Sequence, residues 1–346
     1  MSYHISIEPR TLHFKQPAGT SRGVYTTRQS WFLHLTSDAL PGREGVGECA
    51  PLPDLSCDAT PEYEHTLEAV CRQFELTGAI SYPMLQPYPS ILFGLETAKL
   101  SLERGSSVLF DTPFGRGEEG IPINGLVWMG SYDEMLLRLE EKMKQGFRCV
   151  KLKIGAIDFE KELDLIRHIR EAFSSEQIEL RVDANGGFGY EDAFGCLDRL
   201  ARYDIHSIEQ PIRQHQWSRM AMLCRQSPLP IALDEELIGV NMPLMKAELL
   251  DTIRPAYLVL KPSLHGGMYG TEEWIRLARE RGIGSWVTSA LESNVGLNAI
   301  AHFTAHVYGP GITFPQGLGT GQLFTDNIAM PLCIQGDELR YMADKK

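Results

Sequence analysis

From Pro122 onward, short apolar runs alternate with longer stretches in which apolar residues return every three or four positions. The runs PINGLVWM (122–129), CVKLKIG (149–155), IELRVDAN (178–185), IHSIEQP (205–211), PIALDEE (230–236), AYLVLKP (256–262) and GSWVTSALES (284–293) predict β-strands, with a weaker candidate near Ile312. Between them, DFEKELDLIRHIREAF repeats Phe159, Leu163, Ile166, Ile169 and Phe173 behind a candidate N-cap, Asp158. GYEDAFGCLDRLARY does the same through Phe194, Leu197 and Leu200. Eight strands with seven intervening helices predict an α/β fold, a modified TIM barrel of (β/α)7β type. A doubly wound sheet would want a G-x-G-x-x-G turn after its first strand, and Val127-Trp128-Met129-Gly130-Ser131 does not supply one.

The first 115 residues differ in kind. Strand-like runs (YHISIEPRTLHF, SWFLHLTS) and a Gly/Pro-rich stretch, GREGVGECAPLPDLS, lead into helical material, PEYEHTLEAVCRQFELTG and SILFGLETAKLSLER. The expected organisation is an α+β capping domain over 1–115, a barrel over 116–314, and a segment 315–346 without βα rhythm that packs back on the capping domain.

Composition narrows the function. A content of 43% hydrophobic and 23% charged residues is that of an ordinary globular chain. The net charge of −12, without a basic patch, argues against nucleic acid and anionic membrane as partners. No basic start leads into an apolar run, and no uncharged stretch is long enough to span a bilayer, so a cytoplasmic protein is expected. Seven cysteines without a C-x-x-C pair point away from a zinc site or a disulfide framework. The partner expected is a small molecule, and the sequence leaves the oligomeric state open.

In CVKLKIG, Lys151 and Lys153 share one face of a strand. Alone they would suit a solvated edge strand. The other strand ends change the picture: Lys153, Asp183, Glu209, Asp234 and Lys261 are spaced 30, 26, 25 and 27 residues apart, close to one βα unit each. Taken singly, each acid could be an N-cap or half of a surface ion pair. Five in phase would stand at the C-terminal rim, where barrel enzymes build their sites. Three converging carboxylates need a cation to stay ionised, and an oxygen-only donor set suits Mg²⁺. Such an ion can hold a substrate carboxylate and stabilise the enediolate left when an α-proton departs, with a neutral lysine as the base.

The motifs K-L-K at 151–153, D-A-N at 183–185, I-E-Q-P at 208–211, D-E-E at 234–236 and L-K-P at 260–262 together resemble the enolase superfamily, and within it the muconate lactonizing enzyme subgroup. G-V-G-E-C-A-P-L-P at 45–53 is similar to that subgroup's capping domain. S-A-L-E-S-N-V-G-L at 289–297 and Q-G-L-G-T-G-Q-L-F at 316–324 look most like its o-succinylbenzoate synthases. The resemblance implies a Mg²⁺ enzyme, with Mn²⁺ as a substitute, that dehydrates a cyclohexadiene carboxylate to o-succinylbenzoate in menaquinone biosynthesis. It implies Asp183, Glu209 and Asp234 as metal ligands, with Asn185 behind them. Lys153 would be base and then acid, Lys261 would stabilise the enediolate from across the ring, and Lys151 would hold the substrate carboxylate. Arg22, in a closing loop at Thr20-Ser21-Arg22-Gly23, and Ser263, Ser289 and Ser293 are the further substrate contacts expected. His168, His206, His265, His302 and His306 lack ligand spacing and are read as structural.

The same two lysines and metal would serve an N-acylamino acid racemase or a dipeptide epimerase. The epimerases' aspartate-x-aspartate signature after the seventh barrel strand is missing from S-A-L-E-S-N-V-G. A non-catalytic scaffold would keep five buried charges at a cost and without use.

Overall fold

The computed structural model describes residues 2–20, 23–128, 130–155 and 158–342. An antiparallel sheet comes first, in the order β1 (Tyr3–Thr20), β2 (Gly23–Ser37), β3 (Gly45–Cys49). Leu33 and Leu35 of β2 pack with Leu67, Phe74, Leu95 and Ala98 from the helices α1 (Tyr63–Thr77) and α3 (Pro89–Arg104), which flank the short α2 (Tyr82–Leu85). The glycines of G-V-G-E-C have a steric reason: a Cβ on Gly47 would lie 1.9 Å from the Gly94 carbonyl oxygen of α3.

The second unit starts with β4 (Gly120–Pro122), β5 (Gly125–Val127) and α4 (Tyr132–Lys144). The βα units β6 (Cys149–Lys153) and α5 (Phe159–Ala172), β7 (Glu179–Asp183) and α6 (Tyr190–Leu200), and β8 (Ser207–Glu209) and α7 (Trp217–Gln226) follow. The units β9 (Ile231–Leu233) and α8 (Pro243–Ile253), β10 (Tyr257–Leu260) and α9 (Gly267–Arg279), and β11 (Gly284–Val287) and α10 (Asn294–Tyr308) complete the series. β5 to β11 form one parallel sheet in chain order, and its strands share a core with the surrounding helices. Asp158 caps α5 as its sequence suggests, accepting from the Glu160 amide at 3.1 Å.

Two strand expectations are corrected. The first run divides, because Gly120–Pro122 pairs with β13 (Glu338–Tyr341) in a separate sheet with β12 (Leu332–Gln335), leaving three residues to the barrel. The eighth strand does not form near Ile312, where Gly309-Pro310-Gly311 and Pro315 interrupt the chain. Closure falls instead to two single bridges, Ile123 with Gln316 and Thr288 with Gly317. The tail then runs against β1, where the Lys15 amide reaches Leu323 and the Phe14 and Phe324 rings lie 4.5 Å apart, before turning to β12 and β13.

Two carboxylates of the first unit cap helices of the second. Glu96 of α3 accepts from the Met268 and Tyr269 amides at 2.6 and 3.0 Å, at the start of α9. Glu48 of β3 accepts from the Ser293 and Gly296 amides, both at 2.9 Å, at the start of α10. Each satisfies amides that a helix end leaves open. Both helices are thereby tied to the capping unit just behind the barrel rim.

Candidate active site

Strand register assembles the charged residues. Lys153 is the partner of Asp183, and Asp183 is the partner of Glu209. Asp234 follows β9 directly and Lys261 follows β10. The chain turns away at Asn185 and Gln210 through left-handed backbone, φ 44° and 41°, an uncommon conformation that keeps the preceding carboxylates aimed inward. Gln210 ties two strand ends together. Its side-chain oxygen accepts from the Asp234 and Glu236 amides, each at 3.2 Å, and its amide donates to the Ile212 carbonyl at 3.0 Å.

The lysines and carboxylates form one network. Lys151 Nζ lies 3.2 Å from Asp183 Oδ2 and 3.1 Å from Glu209 Oε2. Lys153 Nζ donates to the same Asp183 oxygen at 2.7 Å and to Asn185 Oδ1 at 2.8 Å. Lys261 Nζ bonds both oxygens of Asp234, at 2.6 and 2.5 Å. The carboxylates are essentially buried and the three lysine side chains only 11–13% exposed. The edge-strand reading of CVKLKIG is thereby excluded.

Burial and neighbouring charge together set the protonation of these groups. Burial, then the charges of Asp183 and Asp234, push Glu209 well above the usual carboxylate range. Burial also acts upward on Asp183 and Asp234, but the ammonium groups of Lys153 and Lys151 on the first, and of Lys261 on the second, hold both below it. Lys151 and Lys261 feel burial downward, and the acids around them more than reverse it: Glu209 first for Lys151, Asp234 first for Lys261. A lysine that is to act as a base therefore needs the acids' charge taken up by something other than lysine.

The donor set fits a hard divalent cation. Three buried carboxylates stand on three adjacent strand ends, and Glu209 is driven toward protonation by burial first and then by its acidic neighbours. Among the described residues no three acidic, histidine or cysteine side chains converge closely enough to hold an ion as they stand, since their oxygens are turned to the lysines. Seating an ion there requires the ammonium groups to give way.

These residues form the floor of a cavity of about 560 Å³ roofed by the first unit. Lys151, Lys153, Asn185, Glu209 and Lys261 line it, as do Ser289 after β11 and Tyr25, Leu52 and Leu55 from the capping side. Asn185 does more than the sequence suggests: it accepts from Lys153 and donates to Glu235 Oε1 at 3.0 Å. Glu235, the middle residue of D-E-E, was missed as a functional candidate. It lines the cavity, its Oε2 has no hydrogen-bond partner, and burial with the neighbouring Asp234 pushes its carboxyl up to about 7. Thr320, likewise missed, pairs its hydroxyl with that of Ser289 at 2.6 Å, a contact across the barrel seam that no local pattern announces.

Two expected substrate contacts are corrected. Ser263 is fully buried with its hydroxyl donated to Glu292, and Ser293 is fully buried as the N-cap of α10, its hydroxyl on Glu48. Neither lines the cavity. Both stand on segments that turn back into the domain contact, a direction fixed by tertiary packing. Arg22, with Ser21, lies outside the described residues. His265 and His302 are buried and pushed down to about 3 and 4 by desolvation, and neither faces the cavity.

Comparison with known proteins gives a family match on each unit. Residues 134–318 match the model described as "Enolase C-terminal domain-like", and residues 19–102 match "MenC, N-terminal domain". An o-succinylbenzoate synthase of Desulfotalea psychrophila is 46% identical, covering 96% of this chain and 97% of that protein. The crystal structure of MenC from D. psychrophila superposes with a TM-score of 0.84 at 42% identity, over 98% of this chain and 100% of that one. The L-Ala-D/L-Glu epimerase of Bacillus subtilis is 27% identical over 86% of this chain and 82% of its own length.

Proposed function

The chain belongs to the enolase superfamily and within it to the o-succinylbenzoate synthase (MenC) family, and we propose that it dehydrates 2-succinyl-6-hydroxy-2,4-cyclohexadiene-1-carboxylate to o-succinylbenzoate for menaquinone biosynthesis. Lyase chemistry follows from that membership, as does dependence on a divalent metal. The observation that carries the reading is the convergence of Lys151, Lys153 and Lys261 on Asp183, Glu209 and Asp234 in one cavity, in a chain 46% identical to a synthase over nearly its full length.

Asp183, Glu209 and Asp234 would hold the cation, for which Mg²⁺ is our assignment and Mn²⁺ a substitute. When bound, it supplies positive charge that stabilises the two negative charges of an enediolate. Lys151 holds the ring carboxylate in place. Lys153 takes the proton from the carbon bearing that carboxylate, and the electron pair moves into the carboxylate to give the enediolate. Lys261 remains an ammonium and stabilises it from the opposite side. The C–O bond to the ring hydroxyl then breaks, Lys153 returns its proton to the departing hydroxide as water, and the ring becomes aromatic. One lysine serving both proton transfers makes the elimination syn.

Asn185 fixes Lys153 Nζ through its amide oxygen and is itself fixed by Glu235. We place the enzyme in the cytoplasm. Among the described residues no helix is long and apolar enough to cross a membrane. The test is o-succinylbenzoate formation by the purified protein with Mg²⁺ and with EDTA. Failure in folded protein would redirect the assignment to α-proton exchange on N-acylamino acids and dipeptides.

A further inference from the structure

One wall of the cavity is made by two loops that meet at a single buried cation. Arg28, in β2, is 2% exposed, and its guanidinium reaches four carbonyl oxygens. Nη1 donates to Pro51 and Nη2 to Ala50, both at 2.5 Å; Nε donates to Leu291 at 3.2 Å, and Nη2 also to Ala290 at 3.4 Å. Both loops face the cavity, the first through Leu52 and the second through Ser289, Ala290 and Leu291.

The second loop is not held by its own local preference. Leu291 has φ 65°, a strained conformation for a branched side chain, which persists only where the surroundings impose it. Arg28 holds its carbonyl from one side. From the other, Glu292 Oε2 accepts from the Ala290 amide at 2.6 Å, while Oε1 takes the Ser263 hydroxyl. Ser263 stands two residues beyond Lys261, so the same network reaches the segment carrying that lysine. A buried cation is costly to keep where apolar packing would serve, and only a planar fork of donors can span both loops at once.

We propose that Arg28 is a positioning residue: it clamps the loop after β11 to the loop after β3, and so sets the wall that receives the succinyl chain of the substrate. The inference rests on the synthase reading, which puts the ring carboxylate at the lysine and carboxylate end; it adds that the rest of the molecule extends toward the part of the lining made by Leu52 and Ser289–Leu291. Its distinguishing consequence is selective. Disturbing the clamp weakens ligands that carry the succinyl chain and spares those that carry only the ring carboxylate.

The test measures equilibrium binding of o-succinylbenzoate and of benzoate to the full chain with Mg²⁺, in the parent and in Arg28→Lys, which keeps the charge but loses the fork. Parent protein should prefer o-succinylbenzoate. Arg28→Lys should lose about tenfold or more of that affinity, the scale of a slightly misplaced site, with benzoate binding unchanged. Glu292→Gln, which leaves Arg28 in place and weakens the opposite hold on the loop, should shift the same ratio and serves if Arg28→Lys does not fold. Equal losses for both ligands, or an unchanged ratio in folded variants, would overturn the proposal and leave Arg28 a role in stability alone. A parent that does not prefer o-succinylbenzoate would count against the synthase reading itself, and the inference would fall with it.

Discussion

Lys153 differs from its neighbours in what it touches. Lys151 is wedged between two carboxylates and Lys261 is clamped on both oxygens of one, whereas Lys153 faces a single carboxylate oxygen and the amide oxygen of Asn185. Of the three it is the least committed to ion pairing, which suits a proposed base. Replacing it by alanine should lower kcat by about 10³-fold or more, near the upper range for general base catalysis, without unfolding the protein. Circular dichroism alongside steady-state rates checks both halves. Asn185→Ala, which frees Lys153 and Glu235 from each other, should cost about 10–100-fold in kcat, the usual scale for a group that orients another, with a smaller change in KM. At this scale the sequence was most legible where chemistry and spacing coincide, since Lys153, Asp183, Glu209, Asp234 and Lys261 stand at strand ends one βα unit apart. Ser263 and Ser293 were misjudged because a serine near a strand end can face cavity or core, and the burial of Glu292 and Glu48 decides which.

The barrel's alternating elements were readable from periodicity because strands buried on both faces run as apolar blocks bounded by helices with one apolar stripe. The closing element was not, since two single bridges leave no period to detect. Nor were the helix caps supplied from the other domain, because a cap contributed by a residue distant in sequence leaves no mark beside the helix. Glu48→Gln should destabilise by roughly 2–3 kcal/mol, because three charge-assisted hydrogen bonds at the start of α10 are weakened together, and denaturant unfolding measures it. Glu96 should make stability depend on pH. Burial, with a smaller push from Glu272, raises its carboxyl to about 8, against the downward pull of the two amides it caps. A carboxyl raised in the folded state binds more protons there than in the unfolded chain. Its contribution is therefore fully present below its ordinary value of 4.5 and is lost as pH rises toward 8. Melting temperatures of parent and Glu96→Gln should accordingly diverge between pH 5 and pH 8, the parent losing more. A difference that stays constant across that range would contradict the assignment.

At the scale of the molecule, the site belongs to neither unit alone. The barrel supplies the charged floor, while the capping sheet supplies Tyr25, Leu52 and Leu55 and, through Arg28, Glu48 and Glu96, holds the rim segments in place. Three mutually repelling buried carboxylates are a liability that a cation relieves, so Mg²⁺ should stabilise the fold as well as serve the reaction. At a hundredfold excess over its dissociation constant the gain would be about 2.7 kcal/mol. Thermal melts with and without Mg²⁺ should show a rise of several degrees, and Glu209→Gln should reduce it. An unchanged melting temperature at saturating Mg²⁺ would argue against these three ligands. The net charge of −12 gives this concentration of lysines its meaning: with a cation on the three carboxylates, the lysines would make a local positive site for an anionic substrate in an otherwise acidic protein.

The most direct test of the central claim is a single-turnover assay with the cyclohexadiene precursor in deuterated water, following o-succinylbenzoate formation by the parent and by Lys153→Ala. Rapid Mg²⁺-dependent product formation by the parent, lost in the variant and in EDTA, is the predicted result. Product formation at the spontaneous rate by folded, Mg²⁺-loaded parent protein, or undiminished turnover by Lys153→Ala, would contradict it.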